Sequence, residues 1–233
     1  KVAARFAKVV ATSFPHTQLR GARHIGLPVR KGIAILDRDA ARVAAREALG
    51  LRAEGPTLLV SGGSQGAVAI NTAVDGARDR LLAAGIDVLH VVGPKNMTDD
   101  LVAGTDPTTG ALYLPVGYVD AMEQAYAAAD LMVGRSGAGT VMETALVGLP
   151  VVFVPLPHGN GEQARNAEFL VRGRAGILID NADLTADRLA DAVLGILTTE
   201  GEVTRMSQAC RGLVPADAAG DLARLVLDLA KGH

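Results

Sequence analysis

The carboxylate of Glu143 follows a run of small and hydroxyl-bearing residues, Arg135-Ser136-Gly137-Ala138-Gly139-Thr140-Val141, which itself follows the apolar stretch Leu131-Met132-Val133-Gly134. The expected local structure is an apolar strand, a tight turn and the opening of a helix. Such a turn offers unspent backbone N–H groups at a helix N-terminus, a natural seat for an anion. Gly137, Ala138 and Gly139 carry little side chain, so a bulky ligand can approach the backbone, and glycine tolerates unusual dihedrals. Glu143 is expected near the positive end of the helix, where a carboxylate gains roughly 0.3–1 kcal/mol. It can accept from two neighbouring hydroxyls, as a ribose offers. Phosphates on the backbone from Ser136 to Val141 and a diol on Glu143 describe a nucleoside diphosphate, and with it a nucleotide-sugar. The competing reading is a dipole-stabilising carboxylate and a merely tight turn.

A second glycine-rich turn has the same layout. Thr57-Leu58-Leu59-Val60-Ser61 is an apolar strand, Gly62-Gly63-Ser64-Gln65-Gly66-Ala67 follows, and a helix then runs through Val68, Ile70, Ala73, Val74 and Ala77. No Gly-Lys-Ser/Thr ends the turn, so it is not a P-loop, and the G-x-G-x-x-G dinucleotide spacing is missing. Alone it is also what an ordinary strand-to-helix turn looks like. Two such turns in one chain are harder to assign to packing.

Further pieces occur in a fixed order: Pro28-Val29-Arg30, the Gly62–Ala67 turn, Gly117-Tyr118-Val119-Asp120-Ala121-Met122, Arg135–Glu143, and Pro155-Leu156-Pro157-His158 with Glu162-Gln163 and Asn166-Ala167. Together they resemble the MurG family of glycosyltransferases, which move N-acetylglucosamine (GlcNAc) from UDP-GlcNAc onto a lipid-linked muramyl-pentapeptide, taking lipid I to lipid II in peptidoglycan synthesis. The resemblance covers essentially the whole chain, whereas the chain covers only part of the family. It implies a GT-B architecture, two Rossmann-like domains facing across a cleft, of which this is the C-terminal, donor-binding part.

The resemblance also implies roles. Ser136, Gly137, Ala138, Gly139, Thr140 and Val141 would meet the diphosphate and ribose, mostly through backbone, and Glu143 the ribose hydroxyls. Val119 would pack and hydrogen-bond the uracil through its backbone. Gly63, Ser64 and Gln65 would approach the sugar–phosphate region, and Arg30 a phosphate. Gln163 and Asn166, three apart on one helix face, would hold the GlcNAc; without the resemblance they read as a solvated face. His158 would shape the loop near the sugar. No Asp-x-Asp pair is present to hold a divalent ion, and His16, His24, His90 and His233 have no partners at metal spacing. No metal or cofactor is therefore expected, helix dipoles and amides serving instead. The family's catalytic histidine lies in a Gly-Gly-x-Gly-Gly-His motif of the N-terminal domain. No such motif occurs here, so no catalytic residue is assigned to this chain, and donor binding without transfer is expected from it alone.

Composition agrees with a packed, reducing-compartment protein. Of 233 residues, 49% are hydrophobic and 21% charged, and the formal net charge of −2 gives no reason to expect nucleic acid. Aromatics are 3% with no Trp, so there are no base-stacking platforms or aromatic membrane belts. Cys210 is the single cysteine, excluding an intrachain disulfide; it is expected on a surface helix, without a role. No run approaches the roughly 18 apolar residues of a membrane span, and no signal peptide is visible. Only five Lys and abundant Ala suggest a high-GC bacterium, an actinobacterium by the resemblance. The start at Lys1 rather than Met suggests a fragment or cleavage product. The family location would be the cytoplasmic face of the plasma membrane, bound peripherally, with the acceptor contacted through the N-terminal domain.

Continuous apolar strands alternate with helices, which predicts an α/β fold: a Rossmann-like parallel sheet with helices on both faces. Strands are expected at 57–61, 87–92, 111–115, 130–134, 150–154 and 176–180. Helices are expected at 40–49 (capped by Asp39), 66–84, 120–129, 139–148, 161–173, 185–198, 202–211 and 216–230. Both glycine turns fall at the carboxyl ends of their strands, where such sheets bind ligands. The strand at 9–14 has no evident sheet. By the resemblance, residues 1–27 are a remnant of the N-terminal domain and linker, 28–215 the UDP-sugar domain, and 216–233 a helix that packs back on the N-terminal domain. Leu222, Leu225, Val226 and Leu229 would form its apolar stripe. Rival readings are an NAD-binding dehydrogenase domain, a UDP-GlcNAc epimerase on the same fold, and a nucleotide-sugar binding module without activity.

Overall fold

A computed structural model of the chain describes residues 3–17, 19–63, 66–158 and 160–231. Ser64, Gln65 and His233, named above, lie outside the described residues. Among the described residues, seven strands form one sheet, β3 (Thr57–Ser61), β4 (Asp87–Val91), β5 (Gly104–Thr105), β6 (Leu112–Val116), β7 (Leu131–Gly134), β8 (Val151–Phe153) and β9 (Gly176–Leu178), in the order β5-β6-β4-β3-β7-β8-β9. All neighbours are parallel except the short edge pair β5–β6. The helices are α1 (Lys31–Ala34), α2 (Arg38–Leu49), α3 (Val68–Ala83), α4 (Met122–Ala128), α5 (Ala138–Val147), α6 (Glu162–Arg172), α7 (Ala186–Leu197), α8 (Glu202–Cys210) and α9 (Ala218–Lys231). None is long and apolar enough to cross a membrane.

Strand composition explains the layering. Every residue of β3 is buried, and alternate side chains enter opposite faces. Leu58 and Val60 join one core with α3 and α7, while Leu59 joins a second core with residues of α2, α4, α5 and α6. Leu131 and Val133 against Met132, and Val152 against Val151 and Phe153, divide the same way. A strand buried on both faces needs an apolar centre, and β3, β7 and β8 have one, the buried polar Thr57 and Ser61 standing at the ends of β3.

The chain builds outward from β3 to β4 and β6, then crosses back to place β7 on the other side of β3. The strand order thus reverses between β3 and β7. The turns after β3 and after β7 leave the sheet side by side at that switch point, where doubly wound sheets open a crevice.

Three expectations are corrected. The strand at 9–14 is not alone: β1 (Val10–Thr12) pairs in parallel with β2 (Ala22–His24), a segment for which no strand is expected from the sequence. This small sheet lies against the main body, with Phe14 edge-on to Phe169 of α6 at 6.2 Å. Helix α2 is capped by Asp37, whose side chain accepts from the Ala40 amide, rather than by Asp39. Cys210 is buried, with its Sγ 3.9 Å from the Ala175 carbonyl, because α8 turns that side toward the core; burial pushes the thiol up to about 11. The stripe on α9, expected to face another domain, is uncovered in this chain at Leu222 and Val226, with Leu227 also exposed and Ala218 buried at the helix start.

Candidate functional site

Two cavities open at the switch point. The larger, about 590 Å³, lies between the turn after β3 and the start of α3 on one side, and Arg135, Gly137 and Thr140 on the other, with Pro157, His158 and Gln163 closing it. The smaller, about 190 Å³, is formed by Ser61, Tyr118, Val119, Met122, Tyr126 and Glu143 among others. Gly63 and Thr140 belong to both, so the two are joined.

The larger cavity is built to receive negative charge. Helices α3 and α5 both begin on it, and neither start has a side-chain cap. Elsewhere α2 and α7 are capped by Asp37 and Thr185, while α1, α4, α6 and α8 also lack a side-chain cap. The first intrahelical bonds of α5 and α3 are Val141 N–H to Gly137 O and Asn71 N–H to Ala67 O. The amides of Ala138, Gly139 and Thr140, and those of Val68, Ala69 and Ile70, precede them and are the orphan donors of their helices.

Arg135 adds a full charge. Its Nη1 donates to the carbonyls of Val154 and Pro155 at 3.0 Å each and to Asn181 Oδ1 at 2.8 Å, all neutral acceptors. No described carboxylate pairs with it, burial alone lowers its pKa, and its Nε is buried without a partner. A partly buried cation with no counter-charge favours an incoming anion. Ser136, beside it, is fully buried, and its Oγ also lacks a partner.

Glycine makes the first turn possible. Gly63 and Gly66 have φ of +90° and +73°. A Cβ on Gly66 would stand 2.1 Å from the Val92 carbonyl and 2.3 Å from Asn96 Nδ2, so no side chain fits. Gly137 and Gly139 differ, since an added Cβ there meets nothing within 4 Å. The space beside them is open.

The smaller cavity has an apolar wall, Val119, Met122 and Met132, and a polar end. Glu143 stands at that end. It lies beyond the first turn of α5, which holds no acidic residue. The helix-dipole account of Glu143 is therefore corrected, since that field fades past the first turn. Instead the Tyr126 hydroxyl donates to Glu143 Oε2 at 2.8 Å. Burial first, then the Glu143 charge, raises the Tyr126 pKa, and the Arg30 guanidinium opposes the rise.

The expected residues distribute as follows. Gly63, Val119, Gly137, Thr140, Glu143 and Gln163 line one or both cavities. Gln163 Oε1 accepts from the Leu156 amide at 3.0 Å, which fastens the 155–158 loop to α6. Asn166 does not face outward with it: the side chain is 7% exposed and its Nδ2 donates to the Ser136 carbonyl at 3.2 Å. Val141 is fully buried in the core with its N–H spent in the helix, so it contributes packing rather than contact. Arg30 is exposed, precedes α1 and lines neither cavity. Arg135, Tyr126, Ser61 and Asn181 are site residues that sequence reasoning does not single out. Arg135 alone carries a signal there, as the one basic residue in the Arg135–Glu143 motif.

A doubly wound parallel sheet whose two glycine turns meet at the switch point is the Rossmann-like C-terminal domain of GT-B glycosyltransferases. The model of the glycosyltransferase family 28 C-terminal domain matches residues 57–220, and the chain belongs to that family. Among its relatives, the UDP-N-acetylglucosamine–N-acetylmuramyl-(pentapeptide) pyrophosphoryl-undecaprenol N-acetylglucosamine transferase of Cutibacterium acnes is 56% identical over 236 residues, covering 99% of this chain and 63% of that protein. The protein of the same name from Nocardioides sp. is 47% identical, covering 100% of this chain and 63% of its own length. The crystal structure of Acinetobacter baumannii MurG superposes with a TM-score of 0.76 at 26% identity, over 97% of this chain and 61% of that one. The calicheamicin glycosyltransferase CalG4 shares the fold alone, with a TM-score of 0.57 at 19% identity. The chain thus spans 63% of the length of these first curated relatives.

Proposed function

We propose that the chain is the donor-binding half of a GlcNAc transferase that uses UDP-GlcNAc and a lipid-linked muramyl-pentapeptide acceptor. The observation that carries this reading is the convergence of two uncapped helix starts and the carboxylate-free Arg135 on one cavity, joined to a second cavity that ends in Glu143. In this reading uracil packs on Val119, the ribose diol bonds Glu143, and the diphosphate lies over the starts of α3 and α5. The sugar extends toward His158 and Gln163. The reaction joins the acceptor hydroxyl to C1 of GlcNAc and expels UDP. Charge that grows on the departing diphosphate meets preorganised amides and Arg135, the electrostatic form of leaving-group stabilisation.

Deprotonating the acceptor belongs, in this proposal, to the part of the relatives' length that this chain does not span. Residues 28–215 form the donor domain, and residues 1–27 and 216–233 connect it to that other part. Acceptor and membrane contacts, at the cytoplasmic face, belong there too. No metal or cofactor is required, because the amides and Arg135 do the work of a cation.

Calorimetric titration of the chain with UDP, with ADP as control, tests the reading. UDP should bind, ADP should bind more weakly, and Glu143→Ala should weaken UDP by about 1–3 kcal/mol, the range for a lost charge-assisted bond. Folded protein that binds neither nucleotide overturns it. The purified chain should transfer no GlcNAc to acceptor; turnover by it alone would show the division of labour to be wrong.

A further inference from the structure

Helices α4 and α5 are joined at two levels. Near the ligand end, the Tyr126 hydroxyl donates to Glu143 Oε2 at 2.8 Å. At the far end, Arg38 spans their C-termini: Nε donates to the Tyr126 carbonyl at 3.0 Å, Nη2 to Ala129 O at 2.5 Å, and Nη1 to Gly148 O at 2.7 Å. Ala129 and Gly148 are the C-terminal caps of α4 and α5. A guanidinium fork fixes directions as well as distances, so the backbone that carries Tyr126 cannot slide along α5. Tyr126 is itself buried, with its hydroxyl at the rim of the smaller cavity.

A glutamate on a helix surface ordinarily samples several rotamers, and freezing it costs binding free energy. Here one carboxylate oxygen is already engaged, and Oε1 has no hydrogen-bond partner among the described residues. A neutral donor is suited to this task. It orients the carboxylate without pairing its charge, whereas an Arg or Lys would compete with the ligand.

We infer that Tyr126 is a positioning residue for sugar-ring recognition: it holds Glu143 in the rotamer that meets the ribose hydroxyls, and so sets the preference for a ribonucleotide. This rests on the reading of Glu143 as the ribose acceptor. Tyr126 touches no ligand in it and acts only through Glu143.

The test compares UDP with 2′,3′-dideoxy-UDP by calorimetry on the wild-type chain, Tyr126→Phe and Glu143→Gln. Wild type should prefer UDP by about tenfold or more, the scale of a hydrogen bond to a charged group. Tyr126→Phe should lose most of that preference: roughly tenfold weaker UDP, and dideoxy-UDP within about twofold of wild type, as expected for a change that does not couple to it. Retained dideoxy-UDP binding also certifies that the variant is folded. If Tyr126→Phe leaves UDP unchanged, or weakens both ligands equally, while Glu143→Gln removes the preference, Tyr126 is only a packing residue and the inference is overturned with the Glu143 reading intact. If wild type does not distinguish the two nucleotides, the Glu143 reading itself fails and the inference falls with it.

Discussion

Asn166 reaches from α6 to the carbonyl of Ser136, donating across 3.2 Å, and this bond holds the middle of the turn that precedes α5. Both groups are buried, so removing the donor leaves an unsatisfied carbonyl. Asn166→Ala is expected to destabilise the chain by about 1–3 kcal/mol, read by urea unfolding. It should also weaken UDP, because the amides of Ala138 to Thr140 depend on the turn. A loss confined to UDP-GlcNAc, with UDP unaffected, would assign Asn166 to the sugar instead.

The uncapped start of α5 allows a competition experiment. Gly137 occupies the N-cap position with no side-chain bond, and a Cβ there meets nothing. Gly137→Ser supplies a hydroxyl that can accept from the amides of the first turn, and serine caps surpass glycine by a few tenths, about 0.3 kcal/mol. The variant should melt slightly higher and bind UDP more weakly, since the same donors serve both. Unchanged UDP affinity with raised stability would show that the anion does not use this helix start.

Arg46 is almost fully buried, yet it gives all its bonds to backbone and one acid. Its guanidinium donates to the carbonyls of Ala128, Ala53 and Gly55 and to Asp130 Oδ2, and Asp130 Oδ2 also accepts from the Thr57 amide at 2.8 Å. This knot ties α2 to the ends of α4 and the start of β3. Arg46→Met strips partners from several carbonyls while Arg42 still pairs with Asp130, and a loss of about 1–3 kcal/mol is expected, the cost of buried acceptors left unsatisfied. Arg46→Lys should rescue little, because an ammonium cannot span those directions. Chemical denaturation of both variants decides it.

His90 makes stability depend on pH. Its ring is buried between Tyr113 Oη at 3.0 Å and Asn71 Oδ1 at 3.1 Å, and burial lowers its pKa to about 4 from 6.5. The unfolded chain therefore binds the proton first as pH falls. The neutral-His contribution is complete above about pH 6.5 and is lost progressively toward pH 4, by roughly 3 kcal/mol over that window at 1.36 kcal/mol per unit. His90→Phe should be less stable at pH 7 and show a shallower decline than wild type between pH 6.5 and 4. Parallel slopes in urea melts would contradict the assignment.

The main sheet and the place of the site are legible in the residues themselves. Leu58, Leu59 and Val60 form an unbroken apolar run because β3 is buried on both faces, and the run stands between two helical stretches. The two glycine turns mark the carboxyl edge of the sheet, and Gly137 and Glu143 lie on its cavities. What escapes a linear reading depends on distance along the chain. β2, the partner of β1, is three residues long with Arg23 and His24 in it, too short and polar for a periodic signal. Asp37 and Asp39 flank Arg38, and only the backbone shows which one begins the helix. Tyr126 and Glu143 are 17 residues apart on different helices, so their bond follows from helix register, which Arg38 sets and local patterns do not carry. Asn166 resembles a partner of Gln163 because both sit on α6, but α6 packs so that one is inside and the other at the loop.

That Gly63 and Thr140 line both cavities has a consequence for how a ligand is assembled on the chain. Each chamber can be occupied without the other, so a ligand that fills both behaves as two weak fragments on a short tether. Joining them turns the second capture into an intramolecular event with an effective concentration on the order of millimolar. Uridine and a sugar phosphate, each feeble alone, should therefore occupy the chain together without excluding one another.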